Sequence, residues 1–247
     1  GDTTKISYLL APRLNAVGRI ANADPAIELL LTEDEAKALQ LAQDLEHVNQ
    51  ERQAMELAIL NSAKKMLEQD SNLSKNKVIV LSSPDWHPGV IGIVASKLME
   101  IYHKPCILIC EDGDEGKGSG RSFSGFNIFK ALSCLSHLLE KFGGHEYAVG
   151  FSLKVKNIPA LRQQINDLAQ NAIKPWEEIR WLEIDTELKG EDINLDLAKQ
   201  IELLSPFGYG NPKPVFVCRK FSIDKIQTVG NQDKHLKLLL KRPSQAV

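Results

Sequence analysis

Residues 105–123 read PCILICEDGDEGKGSGRSF, and the fold turns on this stretch. Pro105 to Cys110 is a short, continuous apolar run, as expected of a strand buried on both faces. Acidic Glu111 to Glu115 reads as a surface turn, and Gly116 to Phe123 as a glycine-rich strand or loop. Upstream, Lys77 to Ser82 (KVIVLS) is a second buried strand. Pro88 to Tyr102 is a helix with proline in its first turn. Downstream, Asn127 to Phe142 is predicted to be a helix, terminated by Gly143-Gly144 as a C-terminal cap. Val149 to Val155 alternates like a strand, and Ile158 to Ile173 is amphipathic and helical. Strands interleaved with helices predict an α/β unit.

The flanks are of a different kind. Residues 1–31 read as short and irregular, with a turn-like Asn22-Ala23-Asp24-Pro25, and do not make a complete folding unit. A long helix is predicted from about 33 to 69, with Thr32 and Glu35 at capping-box spacing. Leu41, Leu45, Val48, Met55, Ile59 and Met66 form one narrow apolar seam, which Arg52 interrupts. At 1.5 Å per residue it reaches roughly 55 Å. A strut between two domains and a helix packed along one core fit this periodicity equally well. Pro175-Trp176 marks the next boundary. Beyond it come a strand over Arg180 to Glu187, a short helix over Asp192 to Leu204, and a rigid turn cluster from Pro206 to Pro212. Strands follow at Val215–Cys218, Phe221–Val229 and His235–Lys241, the pattern of a small β-barrel that is incomplete at its end.

Composition narrows the function classes. The chain has 247 residues, 43% hydrophobic and 25% charged, which excludes long disordered tracts and allows one large or two smaller domains. No apolar run approaches the roughly 18 residues of a membrane span. The start, Gly1-Asp2-Thr3-Thr4-Lys5, has neither a leader's apolar region nor an initiator Met, and reads as a cut edge. Cys106, Cys110, Cys134 and Cys218 form no CxxC pair and have no histidine cluster nearby. Reduced cytosolic thiols are therefore expected rather than zinc or disulfides. The net charge is −2, but it is unevenly spread. Glu33 to Asp70 carries −5, Gly116 to His145 carries +3, and Lys213 to Arg242 carries +6. Local basic faces of this kind can hold phosphate on an acidic molecule.

Four segments have the composition of anion sites. In Gly118-Ser119-Gly120-Arg121-Ser122 the glycines admit close backbone approach, the hydroxyls donate hydrogen bonds, and the guanidinium offers a fork to phosphate oxygens. Gly143-Gly144-His145 would present His145 beyond a helix end, to bond a phosphate or assist a leaving group. Ala11 to Arg19 (APRLNAVGR), read as turn-rich, adds Asn15 and Arg19, the latter as a second phosphate clamp. Trp86-His87-Pro88-Gly89 opens a helix, where His87 serves either an anion or the helix cap. Each segment alone also suits an ordinary turn.

Their order is more specific. APRLNAVGR, a long charged helix, WHPGVIGIVASKL, GSGRS, GGHEYAVG and PFGYGNP follow one another. This series resembles the RecJ family of 5′→3′ single-stranded-DNA exonucleases, from about Leu10 to Leu240. The resemblance implies four parts. Residues 1–31 are the tail of a truncated DHH domain, and 32–72 an interdomain linker helix. Residues 73–175 are a DHH-associated mixed-sheet domain, and 176–247 an incomplete OB-fold-like domain. It implies that Mn2+ or Mg2+ is bound by a DHH domain upstream, where two ions drive hydrolysis. No Asp-His-His triplet occurs here, so no metal ligand is assigned, and the chain alone is expected to bind no cofactor and to be inactive. Val17 stands where the family pattern has a second alanine.

On that resemblance, Asn15, Arg19, Ser119, Gly120, Arg121, Ser122, Gly143 and Gly144 hold the 5′ phosphate and strand, and His145 is the catalytic candidate. The implied partners are single-stranded DNA, through its 5′ end, and repair or recombination proteins, in the cytoplasm and away from membranes. Two other functions are weighed: a non-catalytic nucleic-acid-binding module, and a small-nucleotide phosphoesterase of the DHH superfamily.

Overall fold

The computed structural model describes residues 5–123, 125–173, 182–208, 210–230 and 235–241, in two compact units, Ile6–Arg180 and Trp181–Val247 with Gly1–Lys5. The expected boundary at Pro175-Trp176, the start of the strand at Arg180 and Tyr209 of the turn cluster lie outside the described residues.

The first unit opens with helices, not with the irregular chain expected for residues 1–31. A π-helical turn at Ile6–Leu10 leads into α1 (Ala11–Ile20) and α2 (Asp24–Leu31). Both helices carry proline in the first turn, where a missing N–H costs nothing. The long helix α3 spans Glu35–Gln69. Its cap is Asp34, whose carboxylate accepts from the Ala36 and Lys37 amides, and not Thr32. The seam also differs from the expected one. The buried positions are Leu41, Leu45, Asn49, Arg52, Glu56, Ile59, Ala63 and Leu67, so Arg52 lies inside the seam while Met55 is exposed. The two ends of α3 serve different cores. Leu45 packs with Val17 of α1 and Ala26 of α2, and Ile59, Ala63 and Leu67 pack against the sheet. A short helix α4 (Ser71–Lys75) then leads into that sheet.

The sheet has five strands in the order β1-β2-β3-β5-β4: β1 Ile79–Ser83, β2 Cys106–Asp112, β3 Glu115–Arg121, β4 Leu139–His145 and β5 Ala148–Lys154. β1 and β2 are parallel, joined by α5 (Ile91–Tyr102), and the remaining pairs are antiparallel. One face packs on α6 (Ile128–Cys134) and α7 (Ile158–Ala172) through Val80, Ile107, Ile109, Phe151 and Leu153. The other face buries Ile79, Leu81 and Leu108 under α5 and the second half of α3. Edge strand β1 is protected by α7. Asn166 completes the hydrogen-bonding of Val78 (N–H to Oδ1 2.9 Å, Nδ2 to C=O 3.1 Å), and Arg162 donates to the Val80 carbonyl at 3.0 Å. Such clamping blocks further strand pairing at that edge.

One predicted element is wrong in kind. The helix expected over Asn127 to Phe142 ends at Cys134, and Leu139–His145 is the outer strand β4. Gly143-Gly144 is therefore not a helix cap but part of a β-hairpin that turns at Glu146 and Tyr147. The cysteines are free, and burial pushes the Cys106 thiol strongly up, as expected for inert core thiols.

The second unit holds β6 (Thr186–Glu187) parallel to β7 (Phe216–Val217), helix α8 (Leu195–Glu202), and the hairpin β8 (Ser222–Val229) with β9 (His235–Lys241). Among the described residues these strands form two separate two-stranded sheets and no closed barrel. In the turn cluster Gly208 and Asn211 exchange backbone hydrogen bonds of 2.9 and 3.1 Å. The β8–β9 register puts Ile226, Leu236, Leu238 and Leu240 on one face and Lys225, Gln227 and Lys237 on the other.

Candidate nucleic-acid interface

Strand alternation divides GSGRS between the two faces of the sheet. Gly118 and Gly120 point into the α6–α7 core. A Cβ on Gly118 would lie 2.1 Å from the Phe151 ring, and one on Gly120 2.7 Å from Val149. These glycines exist for packing and form no anion nest. Ser122 also turns inward. It is 5% exposed and donates its hydroxyl to the Phe126 carbonyl at 2.7 Å, so it is not free for a phosphate. Ser119 and Arg121 face the other way. Arg121 Nη1 donates to Ser119 Oγ (3.1 Å) and to the Gly120 carbonyl (2.7 Å), which fixes the guanidinium over the α5 side of the sheet.

Arg19 reaches the same place from α1. Its carbonyl rests on Gly89, where a Cβ would come within 2.0 Å of it. Three residues on, a Cβ on Gly92 would sit 2.9 Å from Ser119 Oγ and 3.0 Å from Arg121 Nη2. The two glycines of HPGVIG thus admit α1 on one side and the Arg121 pair on the other. Gly92 belongs to the first turn of α5, so the positive end of that helix adds to two guanidiniums. The consequence is visible in Arg121, whose pKa is pushed down first by burial and then by the Arg19 charge. Among the described residues neither arginine has a carboxylate partner in an ion pair, whereas Arg13 of the same motif pairs with Glu46. Adjacent cations without a counter-charge form an anion site. Gly92→Ala should crowd Ser119 Oγ and the Arg121 guanidinium, side-chain atoms rather than backbone. It is expected to lower affinity for a phosphorylated strand about 10-fold with little change in thermal stability, as for the loss of one charge-assisted hydrogen bond. Titration and melting of the variant would check both.

Asn15 and Arg19, one helical turn apart, also line a cleft of about 540 Å³ between α1, α3 and α5. Arg52 and Lys97 line it too, and both pair with the buried Glu56 carboxylate. Arg52 Nη2 further donates to Asn49 at 3.1 Å, while its Nε is buried without a partner among the described residues.

His145 and the glycines beside it are placed by the β4 register. His145 pairs with Ala148, which pairs with Arg121, so the three share one row and one face. Gly143, Gly150 and Ser119 form the next row on that face. A Cβ at Gly143 or Gly150 meets nothing within 4 Å, so the floor between Arg121 and His145 is open. Gly144 differs. Its φ is +141° and a Cβ would strike the Ala148 carbonyl at 2.2 Å, so it shapes the hairpin backbone. His87 is a turn group, its Nδ1 accepting from the Gly89 amide at 3.1 Å. The structure therefore brings Arg19, Ser119, Arg121, Gly143 and His145 to one side, with Asn15 in the adjoining cleft. It turns Gly120, Ser122 and Gly144 to packing and backbone roles. Sequence reasoning missed Gly89 and Gly92 as site-forming residues, although both lie in a motif it singled out.

No group of three or more His, Cys, Asp or Glu among the described residues could hold a metal ion, and no described helix is long and apolar enough to cross a membrane.

Residues 75–171 match the DHHA1 domain family and residues 184–247 the RecJ OB domain family. The chain is 39% identical over 97% of its length to the single-stranded-DNA-specific exonuclease RecJ of Bacillus subtilis, and 35% identical over 88% to that of Thermus thermophilus. It spans 30% and 31% of those two proteins. The solved Thermus RecJ in complex with Mg2+ superposes with a TM-score of 0.83 at 32% identity, over 97% of this chain and 36% of that one. A second Thermus structure holds Mn2+, with a TM-score of 0.82 at 31% identity, over 100% of this chain and 37% of that one. The described residues of the present chain offer no ligand set that fits either ion.

Proposed function

Because the chain belongs to the RecJ family, with homology to its C-terminal region, we propose that it grips the 5′ end of single-stranded DNA for exonucleolytic hydrolysis. The observation that carries this reading is the Arg19–Arg121 couple beside Ser119 at the start of α5, without a carboxylate ion-pair partner among the described residues. A terminal phosphate brings two negative charges or nearly so, and the two guanidiniums offer forked donors to its oxygens. Asn15 extends the grip along α1. Gly143 and His145 border the open floor where the first nucleotide lies, and His145, two strands across from Arg121, faces that nucleotide as a donor or a leaving-group acid. Gly120, Ser122 and Gly144 hold the backbone that carries these groups.

On this reading the division of labour follows from the family, whose solved members hold Mg2+ or Mn2+. Mg2+ or Mn2+ is held outside these residues, by a DHH-type domain of which residues 1–31 are the tail. Residues 32–72 link it to a DHH-associated domain at 73–175, and 176–247 form an OB-fold-like domain whose basic hairpin face follows the strand by charge. The setting is cytoplasmic repair and recombination. The alternative of a plain binding module predicts no preference for a strand end, and a small-nucleotide phosphoesterase predicts tightest binding of dinucleotides.

Titration of the chain with 5′-phosphorylated and 5′-hydroxyl single strands of equal length tests the reading. Preference for the phosphorylated end and for the longer strand is expected, with no digestion when Mn2+ is added to this chain alone. Equal affinity for the two ends would contradict it.

A further inference from the structure

We propose that the open sheet face continues the grip as a track for the DNA backbone, with Lys117 and Lys141 as its outer phosphate contacts. This rests on Arg121 holding the terminal phosphate. The register carries the argument. Three rows on that face read Arg121–Ala148–His145, Ser119–Gly150–Gly143 and Lys117–Ser152–Lys141 across β3, β5 and β4. Lys117 and Lys141 are exposed, and neither has a carboxylate partner in an ion pair among the described residues.

The paired positions of these three rows hold no carboxylate, although Glu140 sits in the bulge beside Lys141 at the outer end of the third. Among paired positions acids begin in the fourth, where Glu115 stands opposite Asp112 on one side and pairs with Lys154 on the other. The middle row supplies two glycines with open space above them, so a backbone can pass low over the sheet. From Arg121 to Lys117 is four residues of extended strand, roughly 13 Å, and β3 to β4 is two strand spacings, roughly 10 Å. The face is thus a short basic strip with an uncharged floor and an acidic border at one end. Its charge and dimensions suit a few nucleotides of an extended single strand leaving the Arg121 site. The glycine and serine positions of the floor offer no ring for base stacking, so contact there is with phosphates, and the ring in these rows is that of His145 at the Arg121 end.

The test is the salt dependence of single-stranded DNA binding by the Lys117→Ala/Lys141→Ala double variant. Both side chains are exposed, so folding is unaffected. Each lost phosphate contact lowers the slope of log K against log salt by about 0.7, so a fall of roughly 1.4 is expected, with the preference for a 5′ phosphate retained. An unchanged slope would overturn the track. So would an equal fall per lysine in Lys65→Ala on α3, which would mean that only net charge is read. A slope unchanged with DNA but lowered with an RNA strand of the same length would assign the face to another ligand and also overturn it. The underlying reading fails separately, if Arg121→Ala keeps the end preference.

Discussion

Arg121→Ala is expected to weaken binding of a 5′-phosphorylated single strand by about 10- to 100-fold, and to leave a 5′-hydroxyl strand nearly unaffected. The size follows from the loss of charge-assisted hydrogen bonds in a half-buried site, where water screens them less than at the surface. The guanidinium is held by Ser119 Oγ and the Gly120 carbonyl through one nitrogen, which leaves Nη2 facing the start of α5. Arg121→Lys should rescue little, because a point charge cannot keep both anchors and still present a donor. The burial of Arg121 and the neighbouring Arg19 charge offset its two hydrogen bonds, so its removal should change the melting temperature little. Equal weakening for both strand ends would show that Arg121 acts only as general positive charge.

The largest effect on stability is expected at Glu56. This carboxylate lies in the long helix, 5% exposed, and pairs with Arg52 of the same helix and with Lys97 of α5. Glu56→Ala leaves the Arg52 charge buried, a loss of about 3–5 kcal/mol by analogy with other broken buried pairs. For a chain of this size that is a fall in melting temperature of roughly 6–20 °C. Glu56→Gln, which keeps an acceptor but not the charge, should lie between. Calorimetry would decide, and an unchanged melting temperature in Glu56→Ala would mean that the pair contributes nothing net. The same network joins α3 to α5, so the loss should also loosen the cleft that Asn15 and Arg19 line.

How far the sequence alone reached depends on the range of the forces involved. β1, β2, β5, α5 and α7 were legible because their apolar patterns are local. β4 was not. Leu135, Leu138, Leu139 and Phe142 repeat at helical spacing, yet from Leu139 onward the chain pairs with β5. Periodicity cannot register a partner strand, and tertiary pairing overrides it. The clue was there in two glycines, poor in helices, followed by a two-residue turn and an alternating run. Arg52 misled in the opposite sense, because a charge was taken to break a seam in which Glu56 balances it and Asn49 accepts from its Nη2. In the site, motif order brought Arg19 and Arg121 together across a hundred residues. It could not distinguish Ser119 from Ser122, because that needs the phase of β3: alternate residues face opposite sides, and Gly118 and Gly120 fix which side is the core.

The central claim is that Arg19 and Arg121 share one anion, and a double-mutant cycle measures it directly. Affinity for the 5′-phosphorylated strand would be determined for the unaltered chain, Arg19→Ala, Arg121→Ala and the double variant. If both arginines hold the same phosphate, each single change removes most of the end preference. Arg19→Ala then adds little once Arg121 is gone, giving a coupling of about 0.5–3 kcal/mol. Losses that simply add would place the two guanidiniums on separate ligand groups and contradict the account.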